Sequence, residues 1–380
     1  MIISFLLAFS LFYYIWFYLH GNRRNIMMVV GHTIIFLGPL IYIDILDGEK
    51  YNSYSSDGLL LFSYLGLSNI ILMICVDIFS FNCRSNSSLK KESGSWVVFI
   101  FIVFLFCFSY IVLNLNKLPI LSIVSGGEYV RPDIVKTELR GFFTFSMISN
   151  FLLPLCFIYV YENRFNRFFV FVSFLFVSFC LVVGGNKGGL FFFIFFCFFF
   201  LFGKENKLKG LVLSSFLITL YSLIKISEGA DFSFEYVISS MFERLFVVQG
   251  MSLPNVLSTY LDGFDFYSMN TNDIKRKVFY DVYGYSPGSM PLYFYIEPLI
   301  RFGYLAFFLS VVMFVFLNSV IVNLFSKYNG HAVSWLIYSF QLVVVIAGLT
   351  ESSFFAFLII FFALGLYSFL GVKVVHESEQ

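Results

Sequence analysis

Leu190-Phe-Phe-Phe-Ile-Phe-Phe-Cys-Phe-Phe-Phe-Leu-Phe202 runs without one charged side chain and without alternation. A barrel strand alternates apolar and polar residues, and a helix on a soluble core keeps a polar face. This run has neither pattern. In lipid every backbone polar group needs an internal partner, which leaves the helix. Composition carries the same reading outward. Hydrophobic residues make up 59% of the 380 and charged residues 12%, and the mean hydropathy is +0.86. A soluble domain holds about twice that share of charge. The 56 phenylalanines read as a compositional bias that fills lipid-facing positions.

Apolar runs of this kind recur at 2–19, 26–46, 58–80, 96–115, 142–161, 168–184, 189–203, 211–226, 298–325, 332–349 and 354–372. They predict an all-α fold, a polytopic transmembrane helical bundle of about 11 spans. The chain reads as a single integral membrane domain over 1–380, with an outer loop at 116–141 and a large one at 227–297. The large loop is expected to carry short surface helices, since Phe234 to Gly250 is amphipathic at helical spacing. The first run lacks a basic n-region and a small-residue cleavage site, so it reads as a retained helix.

Basic residues sort the loops. Arg23, Arg24, Arg84, Lys90, Lys91, Arg164, Arg167, Lys204, Lys207, Lys209, Lys327 and Lys373 fall after alternate spans. That side is predicted to be cytoplasmic. The N-terminus is then periplasmic, the C-terminus cytoplasmic, and the chain a multi-pass protein of a bacterial inner membrane. A net charge of +1 gives no attraction for nucleic acid. The six cysteines form no CxxC pair, and no Asp-x-Asp pair occurs, so no metal or cofactor is predicted.

Charge that needs a reason gathers at the outer rim. Gly184-Gly-Asn-Lys187-Gly-Gly189 sets one cation in a glycine-rich turn, which suits an anion or a plain hairpin. Arg131 and Arg140 flank a charged stretch, and Arg140 opens the span at 142–161. Arginine there suits bidentate phosphate contact or headgroup anchoring. Arg244 lies on the amphipathic stretch. After it come Lys275-Arg-Lys277, which reads as a solvated face, and then Tyr283, the turn Ser286-Pro-Gly-Ser-Met-Pro291, Tyr293, Tyr295, Glu297 and Arg301. The tyrosines suit either sugar stacking or an interfacial belt. Glu297 and Arg301 stand i,i+4, the spacing of an ion pair or of a base and a phosphate clamp facing one cavity. His32 inside the second run reads as a satisfied polar contact more readily than as a proton relay.

The chain resembles the O-antigen polymerase (Wzy) family. The resemblance lies in the many-span architecture with a large late outer loop, in the Gly-Asn-Lys187-Gly-Gly turn, and in Ser286 to Pro291 through Glu297 and Arg301-Phe-Gly303. It implies an oligosaccharide repeat-unit polymerase, a metal-independent glycosyltransferase of lipopolysaccharide biosynthesis. Such an enzyme transfers a glycan from undecaprenyl diphosphate to the non-reducing end of another undecaprenyl-diphosphate-linked repeat unit. Glu297, Arg244 and Arg301 are then the catalytic candidates. Arg131, Arg140 and Lys187 are candidates for diphosphate binding, and Tyr283, Tyr293 and Tyr295 for sugar binding. The implied partners are the lipid-linked oligosaccharide, membrane lipid, a chain-length regulator and a flippase. Two alternatives stay open. One is a lipid-linked oligosaccharide flippase or transporter, expected to bury cations along a central cavity. The other is an O-antigen ligase, expected to carry an outer-loop histidine; His20, His32, His331 and His376 all lie elsewhere.

Overall fold

The computed structural model describes residues 31–44, 54–80, 89–90, 94–118, 139–183, 187–197, 247–284, 292–325, 331–347, 358–363 and 373–374. Ser10, Phe12, Met28, Leu121, Leu201, Thr219, Ser239, Glu243, Met290 and Gly365 are described singly. The architecture is helical. The one strand pairing among the described residues joins β1 (Leu89–Lys90) antiparallel to β2 (Lys373–Val374). Three helical stretches are long and apolar enough to cross a membrane: Ser56–Val76, Phe142–Glu162 and Tyr304–Asn323. Val97–Leu113 and Arg167–Val183 are shorter apolar helices. The runs expected at 2–19 and 211–226 lie outside the described residues apart from single positions, as does most of the amphipathic stretch Phe234 to Gly250.

The helices gather into two compact units. The first holds a π-helical turn (Thr33–Leu37) running into α1 (Gly38–Asp44), then α2 (Ser56–Ser80). It also holds α8 (Val248–Leu261), α9 (Thr271–Tyr283), α10 (Ile296–Phe302) and α11 (Tyr304–Phe325). Ser55 starts α2 by accepting the Gly58 N–H at 3.1 Å, which satisfies one orphan donor of the first turn. His32 is buried and its ring lies tilted against Phe36, centroids 4.6 Å apart. Its Nδ1 has no partner among the described residues.

The second unit holds α3 (Gly94–Leu113), then α4 (Phe142–Met147) and α5 (Leu153–Glu162) joined by a π-helical turn at Ile148–Leu152. It also holds α6 (Arg167–Val183) and α7 (Lys187–Phe196), and the first residues of α12 (His331–Ala347) through Leu336 belong to it. A π turn frees a backbone carbonyl from the regular ladder. Here the Trp335 indole N–H takes the Phe151 carbonyl at 3.0 Å. Trp335 is itself enclosed by Phe192, Phe193 and Phe196.

Phenylalanine therefore fills two kinds of place. Phe101, Phe168 and Phe308 point outward, as the compositional reading expects. Phe36, Phe62, Phe142, Phe145, Phe157, Phe193, Phe196 and Phe266 are fully buried and build the cores of their units. Flat rings interdigitate at high density and gain from edge and offset contacts, so lipid is not their only suitable surrounding.

Within the stretch expected as a large outer loop, 227–297, two described helices differ in their surroundings. Every residue from Gly250 to Ser258 is buried. A Cβ on Gly250 would overlap the Ile35 carbonyl oxygen, and one on Gly58 would overlap Ser258 Oγ. So α8 is no surface helix: its backbone lies hard against α2 and the π turn before α1. Its polar residues hide this in the sequence. Asn255, Ser258 and Thr259 return their side chains to the carbonyls of Met251, Pro254 and Asn255 at 2.7, 2.7 and 3.1 Å. Such back-bonding lets a polar side chain sit in an apolar place. By contrast α9 keeps Ile274, Val278 and Val282 inward, with Arg276 exposed and Asp273, Lys275, Lys277 and Asp281 half-buried.

Candidate functional site

The site in the first unit is built around α10, which at seven residues is too short to hold itself. Its position comes from what precedes and follows it. Leu292, Tyr293, Phe294 and Tyr295 are all buried. The Phe294 ring packs on Phe314 of α11, and the Tyr293 ring stands edge-on to Phe36. The Tyr295 hydroxyl accepts from Asn69 Nδ2 and faces the Leu65 carbonyl at 3.4 Å, both in the middle of α2. Asn69 lies about 20 Å along α2 from Ser56, at 1.5 Å per residue. Past α10, Gly303 takes φ 79°, a conformation glycine adopts without strain, and the chain turns into α11. Thus α10 turns at Gly303 directly into α11, and the segment that leads into α10 reaches the middle of α2.

On this short helix Glu297 and Arg301 meet. Arg301 Nη1 donates to Glu297 Oε1 at 2.9 Å. Thr271 Oγ1, at the first position of α9, donates to the same oxygen at 2.6 Å. The side chains are only 12% (Glu297) and 23% (Arg301) exposed. Both contacts use Oε1, so Oε2 keeps its lone pairs, and Arg301 Nε is buried with no partner among the described residues. Of the two readings of the i,i+4 spacing, the ion pair is what forms, and it leaves Glu297 Oε2 and the other guanidinium N–H donors uncommitted among the described residues. Thr271 is held by the start of α9: Asn270 caps the helix through the Asp273 N–H at 2.9 Å, and Gly284 closes it at φ 71°.

Tyr293 and Tyr295, expected as sugar-stacking faces, are core residues 3% and 1% exposed. Burial pushes both phenols above their ordinary range. A Pro- and Gly-rich approach looks the same in sequence whether the tyrosines end up outside or inside, which is why the pattern misled. Tyr283 ends α9, half-buried against Phe279.

Arg140 and Lys187 belong to the second unit, and Arg131 and Arg244 lie outside the described residues. Arg140 is exposed, and its carbonyl accepts from Tyr110 Oη at 3.3 Å. Gly141 follows at φ 79° and opens α4. Lys187 is the first residue of α7. Two steps on, Gly189 lies close to the Asn150 side chain of the π turn, which a Cβ there would displace. Sequence reasoning missed Thr271 and Asn69. A lone Thr after Asn270 signals only a helix cap, and a lone Asn in an apolar run signals a partner without naming it.

No titratable cluster suited to a metal ion occurs among the described residues. No protein-family model, curated protein or solved structure matches this chain.

Proposed function

We propose that the chain is an oligosaccharide repeat-unit polymerase of a bacterial inner membrane, acting at the outer face on glycans carried by a polyprenyl diphosphate. The observation that carries this reading is the Glu297–Arg301–Thr271 cluster. A carboxylate with one uncommitted oxygen sits beside a guanidinium side chain that stays 23% exposed, at the head of a helix whose outward face is apolar. Glycosyl transfer from a lipid diphosphate needs those two groups. Glu297 Oε2 takes the proton of the acceptor hydroxyl as that oxygen bonds to the anomeric carbon. The bond from that carbon to the diphosphate oxygen breaks, and Arg301 meets the charge growing on the departing diphosphate. Thr271 orients the carboxylate by holding Oε1. Arg140 and Lys187, with Arg131 and Arg244, are further candidates for the diphosphates.

Contacts inside each unit pair segments that the charge pattern assigns to one side. Tyr161 Oη donates to Leu201 O at 3.2 Å, and Glu162 accepts the His331 N–H at 2.5 Å, all at ends the charge pattern puts inside. The β1–β2 pair joins two more inner segments. Ser55 N–H donates to Ser258 Oγ at 2.8 Å, joining two ends assigned outside.

Deletion of the gene, followed by a gel of the surface lipopolysaccharide, tests the reading. A polymerase leaves core carrying one repeat unit and no ladder, and complementation by Glu297→Gln restores none of it. The loss expected of a general base is on the order of 10²–10⁴-fold in rate. Full-length glycan stranded on its lipid carrier means a ligase instead, single units held at the cytoplasmic face mean a flippase, and an unchanged ladder removes the glycan reading altogether.

A further inference from the structure

With Tyr293 and Tyr295 buried, the cluster needs another surface to hold a sugar, and one stands beside it. The chain from α8 to α9 makes a tight, internally bonded turn. Gly263 takes φ 84°, Phe264 N–H donates to Thr259 O at 3.2 Å, and Met269 N–H to Phe266 O at 3.2 Å. Phe266 is buried and pins the turn. Asp265 accepts the Tyr267 N–H at 2.9 Å, so the backbone that carries Tyr267 is fixed before any ligand arrives. Tyr267 nevertheless projects outward, 66% exposed, and meets the edge of Phe302, itself 56% exposed, with centroids 5.7 Å apart at 85°. Phe302 is the next residue after Arg301, whose guanidinium carbon lies 5.2 Å from its ring. The aromatic pair is therefore continuous with the Glu297–Arg301 pair on one side and with a rigid turn on the other.

An aromatic pair this exposed costs solvation unless something covers it. Membrane interfaces also collect such rings, and charge decides between the two. Asp262 and Asp265 are both exposed on the same turn. Two carboxylates repel anionic headgroups, whereas they accept hydrogen bonds from neutral hydroxyls. The C–H face of a pyranose carries slight positive charge and suits the negative face of a ring. We propose that Tyr267 and Phe302, with Asp262 and Asp265 at their rim, form a carbohydrate-stacking subsite that holds pyranose units of the glycan next to Glu297 and Arg301. This inference rests on the glycan-transfer reading.

The full chain in nanodiscs of zwitterionic lipid is titrated with the host's surface polysaccharide, freed of lipid by mild acid. Tyr267→Ala is expected to weaken binding about tenfold, the size of one aromatic contact. Tyr267→Phe keeps the ring and binds as wild type. Tyr267→Leu keeps bulk without a π face and binds as weakly as the Ala variant, at an unchanged Tm. Tyr280→Ala, an exposed ring on α9 outside the pair, changes nothing. Unchanged affinity in Tyr267→Ala overturns the subsite. So does failure of the wild type to bind polysaccharide, and so does strong quenching of Tyr267→Trp by brominated acyl chains, which places the ring in lipid. If deletion of the gene removes the ladder while Tyr267→Ala leaves binding and ladder intact, the subsite fails alone. If deletion leaves the ladder untouched and no polysaccharide binds, the proposed function fails with it.

Discussion

Helices α8 and α9 follow one another in the chain, fall in the same expected outer loop, and meet opposite surroundings. From Gly250 to Ser258 no residue of α8 reaches solvent. Along α9 only Ile274, Val278 and Val282 are buried, and Asp273, Arg276, Lys277 and Asp281 face outward or sit at the edge. The difference teaches that a polar residue is informative only through its partner. Ser252, Asn255 and Ser258 are as polar by composition as a surface helix would carry, yet they are buried, and Asn255 and Ser258 return hydrogen bonds to their own helix. A full charge is not satisfied by one carbonyl of its own helix, so on α9 the charged residues fix the face that meets water.

The sharpest way to break the comparison is to place leucine at one position on each helix. Gly250→Leu drives a side chain into the Ile35 backbone and the Pro39 ring, neither of which can swing aside. The expected cost is about 3 kcal/mol, the upper end of ordinary overpacking. Tyr280→Leu on α9, at a site 57% exposed, is expected to be close to neutral. Thermal unfolding of the purified protein in detergent measures both. Equal, small shifts in Tm would mean that α8 does not pack on α2 as described.

A finer test removes one hydrogen-bond acceptor from the buried helix. In Ser258→Ala the Ser55 N–H at the start of α2 loses its 2.8 Å partner, and the Pro254 carbonyl loses a donor. A loss of about 1 kcal/mol is expected, since polar contacts between apolar helices average less than their burial suggests. Ser258→Cys keeps a weak donor of similar size and should fall between the two. A Tm for Ser258→Ala equal to wild type would reassign the start of α2 to contact with water.

Legibility in the sequence follows the same division. The apolar runs at 58–80, 142–161 and 298–325 map onto the long apolar helices Ser56–Val76, Phe142–Glu162 and Tyr304–Asn323, because unbroken hydropathy has one structural outcome in lipid. The start of α9 was equally legible in principle, with Asn270 before the helix and Gly284 after it. The burial of α8 was not legible, because back-bonding erases the signal that separates a buried helix from a surface one. Nor was the inward course of Leu292 to Tyr295, since it depends on Asn69 and Phe314, which are distant in sequence. The i,i+4 spacing of Glu297 and Arg301 could be read locally, but Thr271 reaches Glu297 only through the turn between α8 and α9.

The smallest expected effect belongs to the exposed helix. Lys277 and Asp281 pair at 2.9 Å across one turn of α9, and the lysine also stands 4.6 Å from the Phe264 ring. Both charges keep about a quarter of their surface in water (25% and 28% exposed), where screening and side-chain entropy offset most of the attraction. The cation on a helix interior gains little from the helix dipole, which acts within the end turns. A double-mutant cycle with Lys277→Ala and Asp281→Ala should give a coupling of about 0.5 kcal/mol at low salt, falling toward zero in molar salt as the Debye length shrinks to about 3 Å. Removal of Lys277 alone is expected to cost the contact with the Phe264 ring as well as the pair. A coupling that exceeds the Ser258→Ala loss, or that survives high salt, would place α9 in a desolvated setting and make it a buried helix like α8.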